Sequence, residues 1–152
     1  MALPRQKFRE MLFQLLFAKD FSLEKEKLSV SVMMNFLKTT RAKVAEAEKT
    51  AEAILEKKDF LDALIKKASE EYRIERITKV ELNILRLALF ELFFIPEIPK
   101  KVTITEAIRL NGKFGSEKGS QFVNAILDRI YQEHQSELDK PDCSHELATA
   151  KK

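Results

Sequence analysis

The sequence predicts an all-helical fold, and three observations carry that prediction. Glycine and proline are scarce, three and four residues in 152, too few for the many turns of a β fold. Lys, Glu, Leu and Ala, which favour helix, are abundant. The stretch "LRLALFELFFIP", residues 85 to 96, is apolar nearly all round at ~100° per residue, the pattern of a helix buried in a core. A chain of this length with 45% hydrophobic residues, eleven Phe included, reads as one domain able to bury a core.

Seven helices are expected in order. The first covers residues 5 to 18, with Pro4 at its first turn, where proline is tolerated. The second, residues 23 to 37, follows Ser22 and has the least regular pattern. The third, residues 41 to 57, has Thr40 as its cap and a stripe of Val44, Ala47, Ala51, Ile54 and Leu55. Its other faces alternate Lys and Glu, as a solvated surface does. The fourth, residues 59 to 72, gathers Phe60, Leu61, Leu64, Ile65 and Ala68 on one side.

The fifth helix is the apolar one. Thr78 followed by Glu81 reads as a capping box that starts it near Lys79. Pro96 stops it and biases Ile95 away from helical geometry. Lys79, Asn83 and Arg86 share one narrow stripe, with Glu91 at its edge. Arg86 and Glu91 stand roughly 140° apart around the axis, so each needs its own partner, because an unpaired charge in a core is costly. The run also falls short of the ~20 apolar residues that span a bilayer, so no membrane association is expected.

"IPEIPKKV" forms a rigid connection. Thr103 and Glu106 suggest a second capping box opening a short sixth helix, which ends at "KFG" with Gly115 as its C′ residue. The seventh helix is expected over residues 120 to 133, with Phe122, Val123, Ile126, Leu127 and Ile130 on its buried face. The helical domain is expected to occupy residues 1 to 135. Residues 136 to 152 are polar, contain Pro141 and lack an amphipathic period, the signature of a disordered tail.

Composition narrows the function. A net charge of +3 makes any basic site local. The one cysteine, Cys143, cannot form an internal disulfide, which fits a reducing cytoplasm. Arg5, Lys7 and Arg9 precede apolar positions broken by Glu10 and Gln14, and no small-residue cleavage site follows, so the N-terminus does not read as a signal peptide. Cys143 and His145 are too few for a metal cage, so no metal is expected. No glycine loop has phosphate-cradling spacing, and the paired carboxylates lie among Lys and Arg. No catalytic residue, cofactor or enzymatic activity is expected.

Helix one is more informative. Phe8, Met11, Leu12, Leu15 and Leu16 fill one arc, while Phe13 and Phe17 fall outside it beside Gln6, Glu10 and Gln14. A second aromatic stripe calls for further core or for a partner surface.

Residues 80 to 130, "VELNILRLALFELFFIPEIPKKVTITEAIRLNGKFGSEKGSQFVNAILDRI", closely resemble the C-terminal half of the NusB family of bacterial transcription antitermination factors. The telling pieces are "ILRLALFEL", "IP" followed by "V.I.EAI.L", "KFG" and "FVNAILD". "REMLFQLLF", residues 9 to 17, looks like the family's opening helix. The resemblance implies a compact seven-helix bundle without enzymatic activity that pairs with NusE, a small-subunit ribosomal protein. The pair would bind boxA of nascent ribosomal RNA within a complex on RNA polymerase and suppress premature termination. Some family members self-associate through surfaces that overlap the partner site, and Phe13 and Phe17 could serve a homodimer of the free protein in that way.

Roles follow by the same resemblance. Arg5, Lys7 and Arg9 would contact RNA phosphates. Phe17, where the family usually has Tyr, would face NusE with Phe13 and Glu81. Phe114, Glu117, Lys118, Gln121 and Phe122 lie on the loop and helix start that the family brings near RNA, although the phase of Phe122 assigns it to the core. Asn124 and Asp128 are expected to hydrogen-bond structurally near that loop. Two departures bear on affinity: the basic cluster is thinned to "RQKFR", and Lys118 and Gly119 replace residues that are often acidic or serine. Fewer phosphate contacts mean weaker and less salt-sensitive binding.

Two other readings compete. NusB-like bundles also form the front domain of ribosomal RNA cytosine methyltransferases. This sequence carries neither the large α/β domain with its cofactor-binding glycine motif nor the catalytic cysteine, so this reading would make it an RNA-binding fragment of such an enzyme. A purely protein-binding helical module is the third.

Overall fold

The computed structural model describes residues 5–21, 41–69 and 77–138, which contain seven helices and no strand. These are α1 (Arg5–Phe21), α2 (Arg41–Glu56), α3 (Lys58–Ala68), α4 (Lys79–Phe94), α5 (Lys100–Phe114), α6 (Glu117–Glu133) and α7 (Gln135–Leu138). The helix expected over residues 23 to 37, the Thr40 cap, Tyr72, Cys143 and His145 lie outside the described residues. The chain divides into two compact units, Met1–Glu56 and Lys57–Lys152.

In the first unit α1 packs on α2. The small-residue stripe of α2 buries as expected at Val44, Ala47, Ala51 and Ile54, with Leu55 half-buried. Helix α1 departs from expectation. Its predicted arc is buried, but so are Arg9 at 3% exposure, Glu10 and Phe13 at 2%. Six consecutive residues, Phe8 to Phe13, are therefore buried, and six residues span more than a full helical turn. A helical wheel allots one buried face; this helix is enclosed all round over that stretch. Phe13 is thus core rather than an outward ring, and Arg9 is not a surface cation.

The second unit is organised around α4, which packs against α3, α5 and α6. The capping box forms as expected: Thr78 Oγ1 accepts from Glu81 N–H at 3.2 Å, and the Thr78 N–H donates to Glu81 Oε2 at 3.3 Å. Leu85, Leu89, Leu92 and Phe93 are buried, and so are the polar residues of the helix. Arg86 makes a bidentate pair with Asp62 of α3 at 2.8 and 2.9 Å. Asn83 Nδ2 donates to the Lys79 carbonyl at 2.8 Å. Glu91 accepts from Thr103 Oγ1 of α5 at 2.9 Å. Each charge has its own partner, on a different neighbouring helix.

That last bond explains a second departure. Thr103 was the expected cap of α5, yet the helix starts a turn earlier, at Lys100 after Pro99. The Pro99 carbonyl accepts from the Val102 and Thr103 N–H groups, and the Thr103 hydroxyl is buried on Glu91 instead of capping. Glu106 pairs with Arg109 one turn on, at 3.1 Å.

Helix α3 ends at Ala68, short of the expected Tyr72. Both the Ser69 N–H and its hydroxyl donate to the Ile65 carbonyl, at 2.9 and 2.7 Å. Arg129 of α6 closes the same end by donating to the Ala68 carbonyl at 3.0 Å. At the other end of the unit, α7 carries helix through Leu138, which is buried at 3% exposure. Residues 136 to 138 are therefore ordered helix rather than tail.

Candidate functional site

The α5–α6 elbow gathers most of the exposed site residues of the second unit. Helix α5 ends at Gly115, whose backbone is extended (φ −122°, ψ −155°) and not left-handed. Ser116 then caps α6 by accepting from the Gly119 N–H at 3.0 Å. Helix α6 thus begins at Glu117, three residues before the expected Ser120. The missed signal is a serine followed by an acidic residue in the first turn, a favourable pairing for a helix N-terminus.

This early start changes what the following residues can do. Glu117, Lys118 and Gln121 project from the first two turns and are exposed. Gly119 is buried against α5 and α4: a Cβ there would lie 2.9 Å from Asn111 Nδ2 and 3.1 Å from Glu81 Oε1. Glycine at this point is what close packing requires, beyond its cost to helix propensity. Phe114 is half-buried, with Lys113 Nζ 5.9 Å from its ring centre.

An open cleft of about 650 Å³ runs alongside the start of α6. Glu81, Lys118, Gln121 and Phe122 line it, and Ser69 and Arg129 stand at the α3 side. Phe122 is half-buried here and not core, because α6 turns its buried face at Val123, Ile126, Leu127 and Ile130. Glu81 has two structural duties: it caps α4, and it forms the cleft wall beside Lys118 and Gln121. Asn124 and Asp128 are exposed, and Asp128 accepts from Gln132 at 3.2 Å within α6, so neither braces the elbow.

On α1, Arg5 and Lys7 are exposed. The Arg5 guanidinium lies 5.3 Å from the Phe8 ring centre, and Lys7 Nζ is 3.8 Å from Glu10. Phe17 is half-buried and stacks on Phe13 at 5.8 Å. The site residues therefore fall in two groups, one on α1 and one on the elbow with Glu81.

The residues that pin the elbow, Asn111 and Ser120, were not expected to matter. The one signal in their neighbourhood was the pair of glycines, Gly115 and Gly119, which flank the cap of the next helix and leave room for a side chain between the two helices.

Among the described residues no three His, Cys, Asp or Glu side chains are grouped as metal ligands, and no helix is long and apolar enough to cross a membrane. Fold and cleft together define an all-α protein with an open cleft whose lining combines the polar side chains of Glu81, Lys118 and Gln121 with the Phe122 ring. The chain belongs to the NusB family, whose profile matches residues 6–132. It is 34% identical to the transcription antitermination protein NusB of Desulforudis audaxviator, over 86% of this chain and 95% of that protein. Among solved structures it is similar to T. maritima NusB, with a TM-score of 0.73 and 34% identity over 88% of this chain and 94% of that one. It is also similar to NusB crystallised with the antitermination factor NusE and double-stranded RNA, with a TM-score of 0.71 and 25% identity over 85% of this chain and 96% of that one.

Proposed function

We propose that this protein binds boxA-type RNA together with NusE, within an antitermination complex on RNA polymerase in the cytoplasm, and that it acts without catalysing a reaction. The observation that carries this reading is the likeness, over 85% of this chain and 96% of the matched one, to a chain of the structure of NusB and NusE with double-stranded RNA. Residue chemistry supports it. Lys118 and Gln121 offer a cation and an amide to phosphate or base, beside an aromatic face at Phe122 on which a base could stack. Arg5 and Lys7 are the exposed cations of α1. Phe17, half-buried and stacked on Phe13, is the aromatic group of α1 that would meet NusE or, in the free protein, a second copy. With Arg9 buried, the phosphate contacts of α1 reduce to two.

The test is a titration of a boxA-type RNA with the protein alone and with NusE, repeated across salt. The expected result is a NusE-dependent gain in RNA affinity, with log Kd depending linearly on log salt. No binding of NusE, or no gain in RNA affinity when it is present, overturns the reading. Replacing Arg5 and Lys7 together separates the alternative of a purely protein-binding module, for which RNA affinity would not change.

A further inference from the structure

Asn111 lies in the last turn of α5 and is fully buried. Its side-chain nitrogen donates twice across the elbow, to the Ser116 carbonyl at 2.8 Å and to Ser120 Oγ at 3.0 Å. Its backbone carbonyl accepts from the Gly115 N–H at 2.7 Å. The side-chain oxygen accepts no hydrogen bond among the described residues. One nitrogen therefore carries the whole polar connection from this side chain to α6, and it reaches both the capping residue and the first turn.

Both neighbouring glycines are shaped to this amide. A Cβ at Gly115 would fall 2.5 Å from Asn111 Oδ1, and one at Gly119 would fall 2.9 Å from Nδ2. The backbone of Gly115 is one that any residue adopts, so its missing side chain serves space and not conformation. Two glycines, a serine cap and a serine hydroxyl converge on a single buried side chain.

We propose that Asn111 is a positioning residue for RNA: it sets the angle at which α6 leaves α5, and so the place of Lys118 and Gln121 on the cleft wall. The proposal rests on the RNA-binding reading above. Asn111 does not touch the RNA. It pins Ser116 and Ser120, which bracket Lys118, to a helix that is itself anchored on α4 through Thr103 and Glu91. A purely stabilising Asn111 would alter the unfolding temperature and leave the RNA affinity of folded protein as it was. A positioning Asn111 alters that affinity while NusE binding stays as it was.

The experiment compares wild type, Asn111→Asp, Asn111→Ala and Ser120→Ala as full chains, at a temperature where circular dichroism shows each folded. A boxA-type RNA is titrated in the presence of NusE, and NusE alone is titrated separately. Loss of the two donated bonds is expected to raise the RNA Kd about tenfold in the Asn111 variants, and loss of one about threefold in Ser120→Ala. NusE affinity should stay within about twofold of wild type, a change under half a kcal/mol. Gly119→Ala should weaken RNA binding in the wild-type background and less so beside Asn111→Ala, where the nearest of the three atoms a Cβ would meet is gone and Glu81 Oε1 and Ser116 Oγ remain. Unchanged RNA affinity in folded variants overturns the proposal, as does a parallel loss of RNA and NusE binding. Should the Asn111 variants not fold, Ser120→Ala decides by the same criteria. Wild type that binds NusE but no RNA overturns the reading beneath the proposal, and the proposal with it.

Discussion

Helices α4 and α6 both begin at a hydroxyl cap, yet their polar residues are disposed in opposite ways. In α4, Asn83, Arg86 and Glu91 are buried, and the two charges meet partners on other helices. In α6, Glu117, Lys118 and Gln121 of the first two turns are exposed, and Lys118 and Gln121 line an open cleft. A buried charge that already has a bidentate partner holds the fold together and offers nothing to a ligand. An exposed cation at a capped helix start contributes little to stability and remains available for binding. The difference teaches which charges in a helical protein belong to its architecture.

The comparison can be broken most directly at Arg86. Arg86→Ala should destabilise the protein by about 3 kcal/mol, because it leaves a partly buried Asp62 without its partner. Urea denaturation followed by circular dichroism measures this, and a loss under ~1 kcal/mol would place Arg86 with the surface charges. Next in size, Gly115→Val should cost about 1–3 kcal/mol by overpacking, since its Cβ would meet Asn111. A well-tolerated valine in the same assay would show that the elbow gives way easily.

Thr78→Ala should cost about 1 kcal/mol through loss of the capping box. The same truncation at Ser116 sharpens the comparison, because that cap holds the helix with the exposed polar start. The smallest stability effect is expected at Lys118. Lys118→Ala should stay within ±0.5 kcal/mol of wild type, as surface changes generally do. Its salt-dependence slope for RNA binding, with NusE present, should fall by about 0.7, the value for one single-stranded phosphate contact. A stability loss as large as that of Thr78→Ala would erase the contrast between the two helices.

Much of α4 was legible because its signals are local. Thr78 and Glu81 are three residues apart, Pro96 ends the helix chemically, and an apolar circumference allows only burial. The misplaced starts of α5 and α6 are of another kind. Thr103 has the chemistry of a cap, an oxygen that accepts from backbone N–H groups, but its hydroxyl instead donates to Glu91, twelve residues away in sequence. Phe13 and Arg9 were misread for a related reason: periodicity assumes one buried face, and α1 is enclosed on every side from Phe8 to Phe13. Phe122 erred the other way, lying at the margin of the α6 core where a cleft opens.

The elbow shows the same limit at the candidate site. Glu117, Lys118 and Gln121 could be picked out from the resemblance, and the structure leaves all three exposed. Glu81, expected among the partner-facing residues with Phe17, lines the cleft beside Lys118 and Gln121. Asn111 carried no signal by itself, because an asparagine near a helix end is usually read as a turn or cap residue.

By itself the sequence determined that this chain is helical, where its most buried helix begins and ends, and which family its motifs belong to. Those properties follow from hydrogen bonds and steric limits between residues a few positions apart, and from residue order. Tertiary structure alone decided which polar groups became architecture and which stayed open to a partner. Burial and partner choice depend on helices distant in sequence, and only their packing determines whether a hydroxyl caps its own helix or bonds to its neighbour.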